Sequence, residues 1–234
     1  MIFRFKTKFF VLGLFALPFL LAFNSEIPKK KYDASKDTLR YNGEKHLRNI
    51  RQLTFGGNNA EAYWSFDDNQ LIFQSDWKAL HNQGCDQIFT MNIDGASYNS
   101  GKKYELVSTG KGRTTCSYFL KDGKIVFAST HEGNASCPES KMFSGGRYVW
   151  PLFDTYDIFT SNADGSNMQL LIGGKGYDAE ATASPDGKYI IFTSTRSGDL
   201  ELWRYEIKTK KFLQLTNTLG YDGGAFFSRD SKYI

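Results

Sequence analysis

The stretch "ASPDGKYIIFTSTRSGDLELW", Ala183–Trp203, consists of apolar strand-forming segments separated by turn residues. Fragments of the same phrase occur at three other places in the chain. They are "SFDDNQLIFQSD" (Ser65–Asp76), "FLKDGKIVFAST" (Phe119–Thr130) and "FSRDSKYI" (Phe227–Ile234). Recurrence of one phrase along a chain is the sequence signature of a repeat architecture.

The spacing of the repeats indicates which architecture is present. We align the repeats on the Asp of each turn, which gives Asp68, Asp122, Asp186 and Asp230. The intervals are 54, 64 and 44 residues, and the shortest is close to the roughly 40 to 45 residues of a four-stranded propeller blade. The longer intervals predict inserted loops, of which the segment His131–Thr155, rich in Gly and Ser, is one.

Each repeat contains the same four short strands. The second strand is rich in β-branched and aromatic residues, and Gly123 and Gly187 supply the positive φ that a tight hairpin favours. The third and fourth strands are joined at Asp94-Gly95, Asp164-Gly165 or Lys208-Thr209. The pattern predicts an all-β fold, a β-propeller of four-stranded antiparallel blades with three blades and part of a fourth. A helical solenoid is excluded because almost no segment has a 3.6-residue apolar period, and a two-sheet sandwich would not explain repeats this alike.

Several short motifs distinguish this repeat. They are the Ser-Pro-Asp-Gly turn, the Ser-x-Arg strand end, the "QLT" at Gln52–Thr54 and Gln214–Thr216, and the hairpins Asn92–Gly95 and Asn162–Gly165. In these motifs the chain resembles the TolB-type propellers over about Arg51–Ile234. It implies a six-bladed propeller, a fold found in periplasmic scaffolds and in prolyl-oligopeptidase-like enzymes.

The resemblance has departures. Only the third repeat has the full turn motif, since the first has Phe66-Asp67-Asp68-Asn69 and the last has Ser228-Arg229-Asp230-Ser231. The chain stops at Ile234, inside a predicted second strand. We therefore expect the propeller to be incomplete at the C-terminus and the chain to be a fragment of a longer protein.

The N-terminal residues are typical of an export signal. Arg4, Lys6 and Lys8 precede an apolar run, Phe9–Phe23, that Gly13 and Pro18 interrupt. We predict a signal peptide over 1–23, a flexible leader over 24–48 and the propeller over 49–234. The mature protein would then be periplasmic or secreted, with no transmembrane anchor after signal cleavage.

Charge and cysteine content exclude several kinds of site. The net charge of +4 comes from scattered residues, so no nucleic-acid-binding stripe is expected. Cys85, Cys116 and Cys137 lack the paired spacing of a zinc site. Because export permits disulfides, we predict one between Cys116 and Cys137, with Cys85 left as a free or buried thiol.

No catalytic motif is present in the sequence. It has no G-x-S-x-G elbow, and His131 stands where the third repeat has Arg196, which favours a polar role at a strand end. The "NIDG" and "NADG" hairpins lack the Glu that ends a calcium loop. We expect no catalytic residue, cofactor or metal ion.

Two candidate binding sites follow from the predicted fold. The links that enter the first strand of each blade would gather at one mouth of the central channel, with the charged residues Glu61, Arg113, Asp178, Glu180 and Asp222. This mouth could bind a cation or a basic peptide, or its residues could instead cap strand ends. The insertion carries Arg147, Tyr148, Trp150 and Phe153, which could meet a partner or pack over their own blade.

These features favour an exported, non-enzymatic binding platform in the bacterial cell envelope, with an envelope protein or peptide as partner. The alternative is the gating propeller of a prolyl-oligopeptidase-like serine peptidase whose catalytic domain lies beyond residue 234.

Overall fold

The computed structural model describes residues 38–139 and 143–234, and every helix or strand assigned in these ranges is a β-strand. The chain divides into two compact units between Arg51 and Gln52. The described part of the first unit, 38–51, contains only turns, bends and irregular segments. All strands lie in the second unit. The predicted signal peptide and the leader up to residue 37 lie outside the described residues.

Three four-stranded antiparallel sheets make up most of the second unit. Blade 1 contains β1 (Asn59–Trp64), β2 (Gln70–Ser75), β3 (Gln87–Asn92) and β4 (Tyr104–Leu106). Blade 2 contains β5 (Thr114–Phe119), β6 (Ile125–Ser129), β9 (Asp157–Ser161) and β10 (Gln169–Ile172). Blade 3 contains β11 (Asp178–Ala183), β12 (Tyr189–Ser194), β13 (Glu201–Glu206) and β14 (Lys211–Gln214). In every blade the strands are neighbours in chain order, which confirms the predicted blade architecture.

The insertion of blade 2 lies between β6 and β9. It carries a small two-stranded sheet formed by β7 (Phe143–Ser144) and β8 (Arg147–Tyr148). In blade 3 the corresponding strands β12 and β13 are joined by a short turn. The insertion is therefore an addition to the four strands of the blade, as the longer interval between repeats predicts.

A Ser–Asp turn joins the first two strands in blades 1 and 3. Ser184 Oγ donates to Asp186 Oδ1 at 2.7 Å, and Ser65 Oγ donates to Asp67 Oδ1 at 2.6 Å. Asp67 is therefore the equivalent of Asp186, and our alignment on Asp68 was wrong by one residue. Asp68 has φ 58° and occupies the position of Gly187, which has φ 76°. Asp tolerates the left-handed conformation better than most residues, so the turn forms without glycine.

A second repeated hydrogen bond closes the start of each blade. The residue after the second strand accepts a hydrogen bond, through its side chain, from the backbone N–H just before the first strand. The pairs are Asn58 to Asp76 at 2.6 Å, Arg113 to Thr130 at 2.9 Å, and Tyr177 to Thr195 at 2.9 Å. The bond satisfies an N–H that the sheet leaves without a partner.

The hydrophobic core lies between the blades. In β6, Phe127 faces blade 1 and packs in a cluster with Ile72. Its neighbours Val126 and Ala128 face blade 3 and pack in a cluster with Phe192. All five residues of β6 are buried because both faces of blade 2 are covered, which explains why the second strands read as continuous apolar runs.

The fourth repeat continues along blade 3 without an assigned strand. Its turn keeps the Ser–Asp hydrogen bond, from Ser228 Oγ to Asp230 Oδ1 at 2.7 Å. It is tied to blade 3 by two further bonds, from Thr182 Oγ1 to the Ala225 carbonyl at 2.8 Å and from the Asp186 N–H to Ser231 Oγ at 3.1 Å.

Candidate functional site

The innermost strand of every blade is broken by a bulge at the same position. The register of β1, β5 and β11 against its neighbour shifts there. Each bulge contains a non-glycine residue with positive φ: Glu61 (54°), Cys116 (49°) and Glu180 (57°). The fourth repeat has Gly224 (φ 61°) at this place. Left-handed backbone costs a non-glycine residue of order 1–3 kcal/mol, and such strain concentrates at functional sites.

The bulges line a cavity of about 550 Å³ between the innermost strands and the fourth repeat. Its lining residues are Glu61, Tyr63, Cys116, Ser117, Trp150, Leu152, Tyr177, Glu180, Ala181, Thr182, Leu200, Tyr221, Gly224 and Phe226. We call this cavity the inner groove. It lies within the usual volume range of a ligand pocket and combines aromatic walls with few polar groups.

Hydrogen bonds hold the Glu180 carboxylate in the inner groove. It accepts from the Tyr221 hydroxyl at 2.7 Å, from Thr193 Oγ1 at 2.7 Å and from the Gly224 N–H at 2.8 Å. A side chain at Gly223 would overlap both the Tyr221 hydroxyl and the Glu180 carboxylate, so a larger residue there would displace these two groups from their present positions. Burial, followed by the hydrogen bond to Glu180, raises the pKa of Tyr221, which keeps this hydroxyl a donor.

Glu61 is held in a similar way by Tyr63. The Tyr63 hydroxyl donates to Glu61 Oε2 at 2.8 Å. The Tyr63 ring lies 5.4 Å from the Tyr118 ring and 5.6 Å from the Phe226 ring, centroid to centroid. Tyr63, Tyr118 and Phe226 each lie two residues after a left-handed position, so the repeat itself builds this aromatic cluster.

Cys116 and Ser117 occupy the bulge of β5. Burial raises the pKa of the Cys116 thiol to about 12, and the charges of Glu61 and Glu180 act in the same direction. The thiol is therefore protonated at neutral pH and is a poor nucleophile. Ser117 is only 1% exposed, and its Oγ has no hydrogen-bond partner among the described residues.

The structure brings together two of the five residues predicted at the channel mouth. Glu61 and Glu180 line the inner groove, whereas Arg113, Asp178 and Asp222 do not. The Arg113 guanidinium lies 5.8 Å from the centre of the Phe153 ring.

The two aspartates form contacts outside the inner groove. Asp178 is buried and forms an ion pair with Arg196 at 2.9 Å. Asp222 accepts from Thr218 Oγ1 at 2.7 Å, and its N–H donates to the Leu200 carbonyl at 2.9 Å. Asp178 is the first residue of β11, so its ion pair fits the strand-capping alternative.

The predicted disulfide between Cys116 and Cys137 is wrong. Cys137 pairs with Cys85, with a Cα–Cα distance of 5.8 Å, and Cys116 is free. The reason is the path of the insertion, which folds back so that the Ala135 carbonyl accepts from the Gly112 N–H at 2.8 Å. This places Cys137 beside the loop before β3, while Cys116 lines the inner groove.

The insertion contributes residues to the inner groove and residues to the core. Trp150 and Leu152 line the groove while remaining 59% and 44% exposed. Phe153 packs against the core cluster between blades 2 and 3, and Arg147 is exposed. The side chain of Tyr148 lies outside the described residues. Both proposed roles of the insertion therefore have residues that fit them.

Sequence reasoning missed most of the groove walls. Tyr177 and Tyr221 were visible as the repeated "GYD", and Tyr63, Tyr118 and Phe226 recur at one offset from the bulge. Counting two residues on from each bulge position would have identified Tyr63, Tyr118 and Phe226. Nothing in the sequence pointed to Ser117.

Among the described residues, no group of three or more His, Cys, Asp or Glu side chains is arranged to hold a metal ion. In the same part of the chain, no helix is long and apolar enough to cross a membrane. The apolar segment Phe9–Phe23 lies outside these residues.

Comparison with known proteins points to one group. No family model matches the chain. A segment of 78 residues is 33% identical to the Tol-Pal system protein TolB of Anaeromyxobacter dehalogenans, and 80 residues are 31% identical to that of Francisella tularensis. These matches cover 33% and 34% of this chain and 18% of each relative. The crystal structure of TolB from Acinetobacter baumannii superposes with a TM-score of 0.53 and 20% identity, over 75% of this chain and 36% of that one. The chain thus matches well under half the length of these proteins.

Proposed function

Because the chain is a TolB-like β-propeller, we propose that it is an exported, non-enzymatic platform that binds an envelope protein or peptide in its inner groove. The observation that carries the proposal is the groove itself, in which two carboxylates are fixed at strained bulges between aromatic rings. Tyr and Trp are the side chains most often found as binding anchors, and strain that the fold retains is typical of binding sites.

Residues outside the groove support a location in the periplasm or outside the cell. The basic and apolar N-terminal segments fit a signal peptide. The disulfide between Cys85 and Cys137 fits an oxidising compartment, since disulfides persist in secreted and periplasmic proteins. The relatives named TolB are described as Tol-Pal system proteins, which supports an envelope partner for this chain.

Site-specific photo-cross-linking in the source bacterium tests the proposal. A photoreactive amino acid replaces Leu152 at the edge of the groove, in the protein expressed from its own gene. The matched control places it at Lys102, which is exposed in the connection before β4. We expect an envelope protein to be cross-linked from position 152 and not from 102, and the adduct to be lost with Tyr63→Ala. Equal adducts from both positions, or none from position 152, would contradict the proposal.

The peptidase-propeller alternative stays a prediction. Translating the gene beyond the codon for Ile234 tests it. A G-x-S-x-G motif followed by Asp and His would favour a peptidase, whereas further blades followed by a stop codon would contradict it.

A further inference from the structure

The charge of the inner groove is negative and uncompensated. Its fourteen lining residues include two carboxylates and no Lys, Arg or His. The described hydrogen bonds to Glu61 and Glu180 come from hydroxyls and a backbone N–H, all of them neutral donors. Asp178 is different, because Arg196 neutralises it at 2.9 Å. The groove therefore keeps a fixed negative potential beside low-dielectric walls, where charge interactions are stronger than in water.

The walls of the groove suit a cation as well. Tyr63, Tyr177, Tyr221, Phe226 and Trp150 present aromatic rings to the same cavity. The face of an aromatic ring carries partial negative charge and attracts ammonium and guanidinium groups, and aromatic cages recognise such groups in many proteins.

Ser117 adds an observation that does not depend on the carboxylates. It lines the groove, is 1% exposed, and its Oγ is unpartnered among the described residues. A buried hydroxyl without a partner is costly, and natural proteins rarely leave one so. A ligand N–H in the groove would supply the missing hydrogen bond.

We infer that the inner groove recognises an organic cation, the ammonium or guanidinium group of a Lys or Arg side chain on the bound peptide. The inference rests on the proposed function and names the chemistry of its ligand. Glu61 and Glu180 would supply the opposing charge, the tyrosine rings the cation–π contacts, and Ser117 Oγ a hydrogen-bond acceptor. Hard divalent ions such as Ca²⁺ take six to eight oxygen ligands, and the described residues hold no cluster of three metal-ligating side chains, so a metal ion fits less well.

Peptide binding to the purified mature protein tests the inference. The probes are a glycine peptide with one central Arg, the same peptide with Lys, and the same peptide with citrulline, a neutral isostere of Arg. Titration is followed by calorimetry at low salt. We expect the Arg or Lys peptide to bind at least tenfold more tightly than the citrulline peptide, because charge-assisted hydrogen bonds are about twice as strong as neutral ones.

Carboxylate variants test whether the preference for Arg over citrulline arises in the inner groove. Glu61→Gln and Glu180→Gln each keep the shape of the side chain and should abolish most of the preference for Arg over citrulline. Glu132→Gln, at an exposed carboxylate outside the groove, is the matched control and should keep the preference. Thermal melts verify that each variant is folded. If Glu180→Gln fails to fold, Glu61→Gln decides the question.

Three results would overturn the inference. They are equal binding of the Arg and citrulline peptides, no binding of any peptide at millimolar concentration, and binding of Ca²⁺ alone. If photo-cross-linking from position 152 still captures an envelope protein in any of these cases, the proposed binding function is supported and only the proposed ligand chemistry is wrong. Absence of that cross-link contradicts the proposed binding function itself.

Discussion

The ion pair between Asp178 and Arg196 should be the most sensitive polar contact of blade 3. The Asp178 side chain is 3% exposed and that of Arg196 is 22% exposed. The Arg196 guanidinium also lies 4.4 Å from the centre of the Phe212 ring, and its Nε donates to Ser194 Oγ at 2.9 Å. Arg196→Gln therefore leaves a buried carboxylate without a counter-charge.

The expected loss is large. Removing one partner of a buried pair costs about 3–5 kcal/mol of unfolding free energy, mainly because the remaining charge stays buried. At about 2–4 °C per kcal/mol for a domain of this size, Tm should fall by roughly 6–20 °C. Asp178→Asn combined with Arg196→Gln should recover part of this loss, since no unpaired carboxylate remains.

Thermal unfolding followed by circular dichroism measures the effect. Lys124→Gln is the matched control, because Lys124 and Asp122 form an ion pair at 3.3 Å with both side chains more than half exposed. Exposed pairs contribute little, so its Tm should be almost unchanged. The reasoning is refuted if Arg196→Gln is tolerated as well as Lys124→Gln, or if the double variant is less stable than the single one. Binding of the Arg peptide should be unaffected, because neither residue lines the groove.

Two further predictions concern the cysteines. Peptide mapping of the unreduced protein should find Cys85 linked to Cys137 and a free Cys116, and a Cys116–Cys137 link would contradict the structure. The disulfide spans 52 residues of sequence. In the chain-entropy model, Cys85→Ser should therefore lower the unfolding free energy by about 4 kcal/mol. Burial raises the pKa of Cys116 from 9.0 to about 12, so the folded state holds this proton more tightly than the unfolded state. The stabilisation from Cys116 is present below pH 9 and lost as pH rises from about 9 to 12. In a plot of unfolding free energy against pH, Cys116→Ala should therefore flatten the slope between these two pH values. An unchanged slope would argue against burial of the Cys116 thiol.

The blade architecture could be predicted from sequence because local and global signals agree. The segments "YIIFTS" and "KIVFAS" each contain an unbroken apolar run, Ile190–Phe192 and Ile125–Ala128, because both faces of these strands are covered. Turn residues mark where each hairpin reverses. The alignment error at Asp68 came from the same reliance on local signals. Two aspartates stand side by side in that turn, and only the hydrogen bond from Ser65 shows that Asp67 occupies the structural position.

The candidate site was predicted only in part, because its residues are brought together by long-range packing. Glu61 and Glu180 were found from their place before each first strand. The role of Asp178 depends on Arg196, eighteen residues further along the chain, and the partner of Cys137 depends on how the insertion folds back. Neither could be read from spacing, since the path of a long loop is set by tertiary contacts.

The position of β6 in the middle of blade 2 has a consequence for how the protein fluctuates. Blade 2 shares one hydrophobic cluster with blade 1 and another with blade 3, so opening it disrupts two interfaces at once. Where neighbouring units are coupled in this way, we expect the amide hydrogens of β6, whose five residues are all buried, to exchange slowly. The bulge of β5, which pairs with β6, is therefore anchored to a strand that opens rarely, and a ligand in the inner groove would bind against a rigid wall on that side.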